Sequence, residues 1–406
     1  MSDVSAVPVP TEASPSRFRA VPVFLAFVAM GFGDAAGPFV GTARQQFHLS
    51  NFTAQLITFT GFIMFGILSV PMGVFQDRKG KRFVLILGLC TMLAGVLIPT
   101  VAGLSVFVVF LVAMLLLGAG ATILQVAGNP MMRDVSAEGK YSRNLSLAQF
   151  VKAIGSMSGP VIPVIAARAF GLSWHAVFPV FSVAILIALL SAVTTRTSES
   201  PATERQTATL RSCLALLKNR YVAIMVLGIF LYVGAEVCVS SGIPLYLEDR
   251  FGIDIAKTGL LGTGLFFAAL TLGRFSGGVV LNWMKPKIFL ALTCAVSILG
   301  LLGLFLPFER VAVACFFVAG LGFANVFPLI FSIAIDRMPD QSNPLSGLMV
   351  TAIVGAAFLP PLMGLVADTA HSVQFSFVVP LAAILYVSWV AVRNLREAPA
   401  PQEASR

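Results

Sequence analysis

Gly73-Val-Phe-Gln-Asp77-Arg78-Lys-Gly-Lys-Arg82 leads straight into Phe83–Leu104, FVLILGLCTMLAGVLIPTVAGL. The first block is short and crowded with charge, and the second carries none. A bilayer core about 30 Å thick needs roughly 20 apolar residues from a crossing helix. The run from Phe83 supplies them. It does not alternate between polar and apolar residues, as a strand of a membrane barrel would, so it reads as a helix that is apolar all round. The next run, VFVVFLVAMLLLGAGATIL from Val106, has the same character. A basic turn feeding an uncharged helix is the repeating unit of a polytopic helical membrane protein.

The rest of the chain agrees. Of 406 residues, 57% are hydrophobic and only 11% are charged, against about 25% charged in an average soluble protein. Mean hydropathy is +0.91. A water-soluble globule of this composition would expose large apolar patches, and a disordered chain would be polar and charged. Glycine and proline show no period, which excludes collagen.

Twelve apolar segments follow from the span arithmetic, at residues 21–43, 54–76, 83–103, 105–128, 145–168, 174–195, 221–245, 256–282, 287–307, 309–334, 344–367 and 372–393. They are called spans 1 to 12. The expected organisation is a tail over 1–20, a six-helix bundle over 21–195, a polar linker over 196–220, a second six-helix bundle over 221–393 and a tail over 394–406. Span 1 is too long for a cleaved signal peptide and lacks a small-residue cleavage site.

Charge sets the orientation. Among the 27 Lys and Arg, all but Arg44, Arg168, Arg250, Lys257, Arg310 and two intramembrane cations fall on the side that carries both termini. The positive-inside rule puts that side in the cytoplasm and the protein in a plasma membrane. The net charge of +9 is thus scattered over short loops facing lipid head groups, with no continuous stripe for nucleic acid.

Nothing points to an enzyme or a cofactor. There is no Ser/His/Asp set, no HExxH and no P-loop. His48, His175 and His371 are isolated, and Cys90, Cys213, Cys238, Cys294 and Cys315 form no CxxC, so no metal site is expected. Any concentrating work must then draw on an ion gradient.

The two halves echo each other. Gly73 to Arg82 returns as Gly278-Val-Val-Leu-Asn282-Trp-Met-Lys-Pro-Lys287, and Gly118-Ala-Gly120 returns as Gly320-Leu-Gly322, both about 200 residues on. Parallel six-helix repeats with a midplane cavity between them are the architecture of a rocking transporter. Gly73, Asp77, Arg78, Arg82 and Arg274 are the expected gating residues, because a carboxylate at a helix end can latch to a helix N-terminus or an Arg in one state only.

A charge at the bilayer centre is costly, so each one needs a reason. Asp34 lies mid-span in MGFGDAAGPFVG; Lys152 follows Gln149 on one face of span 5; Glu236 sits in span 7. These three are the expected coupling residues. The competing structural readings are an aspartate that only pairs with a neighbouring helix and a lysine that snorkels to the interface. Gln125, Asn129, Gln149, Tyr232, Asn325 and Phe327 are the expected substrate contacts. Buried amides either bridge helices or read hydroxyls, and aromatic rings can stack on a sugar.

These residues resemble the fucose–galactose–proton symporter family of the major facilitator superfamily. The Gly73–Arg82 block matches the superfamily's loop signature, G-x-x-x-D-R-x-G-R/K-R/K. Asp34 with Pro38 resembles the family's N-D-x-x-x-P. Gln125-Val-Ala-Gly-Asn129-Pro130 resembles E-x-A-x-N-P, and Asn144-Leu-Ser-Leu-Ala-Gln149-Phe resembles L-N-L-A-Q-x-F. Tyr232-Val-Gly-Ala, Gly273-Arg274-Phe275-Ser-Gly277 and Pro361-Leu-Met-Gly364-Leu-Val-Ala-Asp368 resemble Y-V-G-A, G-R-F-T-G and P-V-M-G-F-V-x-D. The resemblance implies a sugar carrier working by alternating access, with Asp34 as the protonatable aspartate and Gln149 as a sugar-contacting amide; a cavity inside one chain makes a monomer the expected state.

Two positions depart from the family. Its span 4 glutamate is Gln125 here, and Lys152 stands where Asn is frequent. Three options follow: a cation-coupled symporter, driven by protons or sodium, that uses Asp34 with Lys152; a sugar uniporter; or a carrier of a sugar acid whose anion meets Lys152. A drug–proton antiporter is the rival outside sugar transport, because Gly155-Ser-Met-Ser-Gly159-Pro160 matches the front of the glycine run such carriers place in span 5.

Overall fold

The computed structural model describes residues 21–34, 36–104, 106–134, 141–195, 215–254, 262–338 and 342–396. Span 1 is α1 (Val21–Gly33) followed by α2 (Ala36–Phe47). Spans 2 to 6 are α3 (Asn51–Lys79), α4 (Lys81–Ala102), α5 (Phe107–Asp134), α6 (Tyr141–Phe170) and α7 (Val177–Thr194). Spans 7 to 9 are α8 (Arg220–Phe251), α9 (Gly264–Val280) and α10 (Pro286–Gly303). Span 10 divides into α11 (Glu309–Phe323) and α12 (Val326–Arg337), and span 11 into α13 (Ser342–Thr351) and α14 (Gly355–Ala370). Span 12 is α15 (Val373–Ser376) with α16 (Val378–Arg396). Eleven of these are long and apolar enough to cross a membrane, and the described part of span 8 is a shorter apolar helix. The chain is a multi-pass membrane protein. Val101, Val108 and Leu299 are 81%, 64% and 66% exposed on its outside, which is natural against lipid and unfavourable against water.

Several expected boundaries shift for local reasons. The charged block after span 2 is hardly a loop: α3 runs through Lys79 and α4 starts at Lys81. Gly80 alone makes the turn, at φ 87, a backbone region that favours glycine. Span 1 was expected to be continuous, but it breaks at Asp34. Pro38 has no N–H to give the Asp34 carbonyl four residues back, and Gly37 N–H bonds that carbonyl instead, at 3.3 Å. Pro328 stands in the same relation to Ala324, where span 10 breaks between α11 and α12. The C-terminal helix continues to Arg396, three residues into the expected tail. The N-terminal tail, Cys213 and residues 196–214 of the linker lie outside the described residues.

The repeats share their contacts. A methyl on Gly31 would overlap the Lys152 carbonyl and approach Gly155 Cα, so span 1 presses on span 5 there. In the second half Gly234 and Gly355 are the counterparts, and span 7 presses on span 11. Gly118 meets Gly61, as Gly320 meets Phe266; Gly120 meets Met92, as Gly322 meets Ser297. Small residues are what let helices approach this closely in lipid, where apolar burial offers no drive. Between the halves, span 2 lies along span 11, span 5 along span 8, and α2 along span 7.

Candidate functional site

The break in span 1 places Asp34 at the end of α1, with its N–H on the Gly31 carbonyl at 3.1 Å. Lys152 and Ser156 stand one turn apart on α6 and both reach the same carboxylate oxygen. Lys152 Nζ lies 3.4 Å from Asp34 Oδ2, and Ser156 Oγ donates to it at 2.6 Å. The pair keeps about a fifth of its exposure, 18% for Lys152 and 23% for Asp34. Gln125 lines the same cavity, whose other walls include Gly33, Gly61 and Gly118. Its volume is about 10 Å³, room for a single water and far less than a sugar. Gln149 is half-buried one turn before Lys152. Asn129 falls among the side chains that are not described.

The second half holds a matching acid with a different base. Glu236 Oε1 accepts from Arg274 Nη2 at 3.3 Å. Tyr232, one turn earlier on α8, brings its hydroxyl to 2.5 Å from Glu236 Oε2 and 2.7 Å from the Phe323 carbonyl. Phe323 is the last residue of α11, so the break in span 10 leaves that carbonyl available. Arg274 was expected at the cytoplasmic latch, but it serves Glu236. Asn325 was expected to meet substrate, but its amide donates to the Gly273 carbonyl at 2.7 Å and fixes span 10 to span 8. The Phe327 ring packs on Phe331 at 5.8 Å, and Tyr232 is fully buried beside Phe323.

The two acids lie at a similar level along spans 1 and 7. Arg44 meets Glu248 and Gln45 meets Glu248, at sequence offsets of 204 and 203, so repeat-equivalent positions touch each other. Gly37 packs on Ser240 at a like offset. Asp34 lies three residues before Gly37, and Glu236 four before Ser240, on spans that run the same way. Both acids are therefore about one helical turn, roughly 4.5–6 Å, to the same side of that crossing.

Beyond the crossing the halves are latched. Arg44 Nη1 lies 3.2 Å from Glu248 Oε2, and Gln45 donates to Glu248 Oε1 at 2.6 Å. Asp368, at the end of span 11, accepts from Asn51 N–H at 3.1 Å and Phe52 N–H at 2.9 Å, and from the Asn51 amide at 2.7 Å. Ser50 takes the Thr53 N–H and the Ser50 carbonyl takes that of Ala54. Three open donors of the span 2 N-terminus, the N–H groups of Asn51, Phe52 and Thr53, are satisfied, two of them by a carboxylate from the other half.

The expected gate at the opposite face is only partly visible. Asp77 and Arg78 are among the side chains not described. A Cβ on Gly73 would meet nothing within 4 Å. Arg82 donates to the Ala192 and Val193 carbonyls at 3.2 and 2.7 Å, capping span 6 of its own half. Ser156, Glu248 and Asp368 were not expected to act. The usable signals were the one-turn spacing of Ser156 from Lys152 and the opposite charges of Arg44 and Glu248 at equivalent repeat positions.

A family model described as Major Facilitator Superfamily matches residues 23–353. The glucose/galactose transporter of Brucella abortus is 26% identical over 403 residues, covering 94% of this chain and 96% of the relative. The L-fucose-proton symporter of Escherichia coli K12 is 24% identical over 390 residues, covering 88% and 87%. A crystal structure of the superfamily transporter FucP in the outward conformation overlays with a TM-score of 0.70 at 20% identity, covering 94% of this chain and 99% of that one. The chain belongs to the major facilitator superfamily.

Proposed function

We propose that this member of the major facilitator superfamily carries a hexose-type sugar across the membrane by alternating access, as a cation-coupled symporter. The observation that carries the reading is a largely buried acid–base pair in each half, with the two acids at repeat-equivalent positions on one side of the span 1–span 7 crossing. A carrier needs charges there that substrate or a proton can reorganise. Relatives named for glucose, galactose and fucose, aligned over most of the chain, support a sugar as cargo. The basic face that carries the termini is read as cytoplasmic, so the Arg44–Glu248 and Asp368–span 2 latches close the outer side.

The sugar would enter between Asp34, Gln125, Gln149 and Lys152 on one side and the Glu236 cluster on the other. The single-water cavity beside Asp34 widens only when the halves move, which fits a site made by rocking. A sugar acid is less well served, because the Lys152 ammonium already answers Asp34. The antiporter reading also weakens, because Gly155 is occupied in packing on span 1. Counterflow of labelled galactose, glucose and fucose in proteoliposomes tests the cargo. Saturable exchange, competed by the other hexoses, is the expected result. Exchange of none of them, with efflux of a lipophilic dye, would replace this reading with the antiporter.

A further inference from the structure

The latched face holds two amide oxygens that nothing answers. On span 2, Asn51 Oδ1 and Gln55 Oε1 are both buried, and among the described residues neither accepts a hydrogen bond. Gln55 keeps only 1% of its exposure. The Asn51 amide is held in its orientation, because its nitrogen donates to Asp368 Oδ1 at 2.7 Å and a flip would set two acceptors face to face. A buried carbonyl oxygen without a donor is costly, so it points to a partner supplied in another state. The face concerned is the one that span 11 covers. Gln55 stands one turn after Asn51 and one turn before Phe59. A methyl on Gly364 of span 11 would come within 2.7 Å of the Asn51 carbonyl, and the Phe59 ring meets Phe358 of span 11 edge-on at 5.8 Å. Two turns beyond Gln55, about 10 Å along the same helix, Phe62 lines the cavity beside Asp34.

We propose that Asn51 and Gln55 form a subsite for hydroxyl groups of the cargo, covered by span 11 while the latched face is closed and lying on the way to the Asp34 cavity once it opens. This rests on the sugar reading above and adds a pair of residues outside the Asp34–Glu236 region. The ligand chemistry is that of a neutral polyol: two amide oxygens each lack a donor, and a hydroxyl supplies one. One helical turn sets the two side chains roughly 5–6 Å apart at their Cβ atoms, a distance that a single hexose bridges with two of its hydroxyls. Asn51 also joins the subsite to the latch. Opening takes Asp368 away from the Asn51 amide, whose nitrogen can then donate to a sugar oxygen. A sugar bound there occupies the group that Asp368 needs for closure until it moves on towards Asp34.

The test is equilibrium binding of galactose, glucose and their monodeoxy analogues to the full chain in lipid nanodiscs, native against Gln55→Met and Asn51→Ala. Gln55→Met replaces an unpaired buried polar group by an apolar one of like shape, so it should keep or raise the native unfolding temperature. The native protein should bind at least one monodeoxy sugar about fivefold more weakly than its parent, the effect of one hydrogen bond. Gln55→Met and Asn51→Ala should each lose that preference at one ring position and keep it at the others. Preferences in Gln55→Met identical to those of the native protein, whether or not all affinities shift together, overturn the subsite and leave Gln55 only a burden on the closed state. A native protein that binds none of these sugars overturns the sugar reading, and the subsite falls with it.

Discussion

The two halves place an acid at the same point of the repeat and answer it from different helices. Asp34 draws its base from span 5 and Glu236 from span 8. By the repeat, Ala352 stands where Lys152 would recur, and Ser69 stands where Arg274 would have come from. Ser69 is buried with its hydroxyl on the Phe65 carbonyl. The place of the acid repeats, and the counter-charge does not. Each pair is also internal to its half, whereas Arg44–Glu248 and Asp368–span 2 join the halves. On the proposed reading the internal pairs travel intact as the halves rock, and the contacts between the halves are the ones that break.

The largest expected effect lies at the first pair. Lys152→Met strands Asp34 with a single neutral donor. It should cost about 2–3 kcal/mol of stability, somewhat under the usual figure for a fully buried pair because a fifth of the pair remains exposed. Thermal unfolding in lipid nanodiscs reads this. Asp34→Asn/Lys152→Gln should recover about 1 kcal/mol or more relative to the sum of the singles, and strict additivity would show that the two do not form a unit. Arg274→Gln should cost about as much as Lys152→Met, because both pairs are similarly buried and each acid keeps one hydroxyl partner. A loss at only one of the two would show that the halves do not hold their charges alike.

Smaller effects are expected at the latches. Asp368→Asn removes a charge from the span 2 N-terminus and should shift the equilibrium towards outer opening by about 1 kcal/mol, roughly fivefold. Glu248→Gln should shift it by about 0.5 kcal/mol, since that pair is about a third exposed. Distances between spin labels on the outer ends of spans 1 and 7 check both. Unchanged populations in both variants would mean that packing alone, such as Gly364 against Asn51, holds the outer face.

Much of this was legible in the sequence. Apolar runs carry the spans, because lipid demands them, and the repeated glycines Gly118, Gly120, Gly320 and Gly322 mark the points where helices touch. Asp34 and Lys152 stood out because charge inside a membrane is costly. The helix break at Asp34 was signalled by Pro38, but a proline in a membrane helix can equally leave a kink. Arg274 was misplaced for a different reason. Spacing along a helix gives the face a residue occupies, and it does not say which neighbour that face meets. Glu248 and Asp368 lie near helix ends, where a charge looks like ordinary solvation until the facing helix is known. The Phe323 carbonyl has no signature in a sequence, because every residue carries one.

The most direct test of the account is the ratio of internal to external labelled hexose in proteoliposomes under an inward proton gradient, with sodium replaced by choline. A carrier coupled by protons should raise the ratio well above one and return it to one when the gradient is collapsed. A ratio that stays at one, with equilibration intact, would contradict coupling and leave a sugar uniporter.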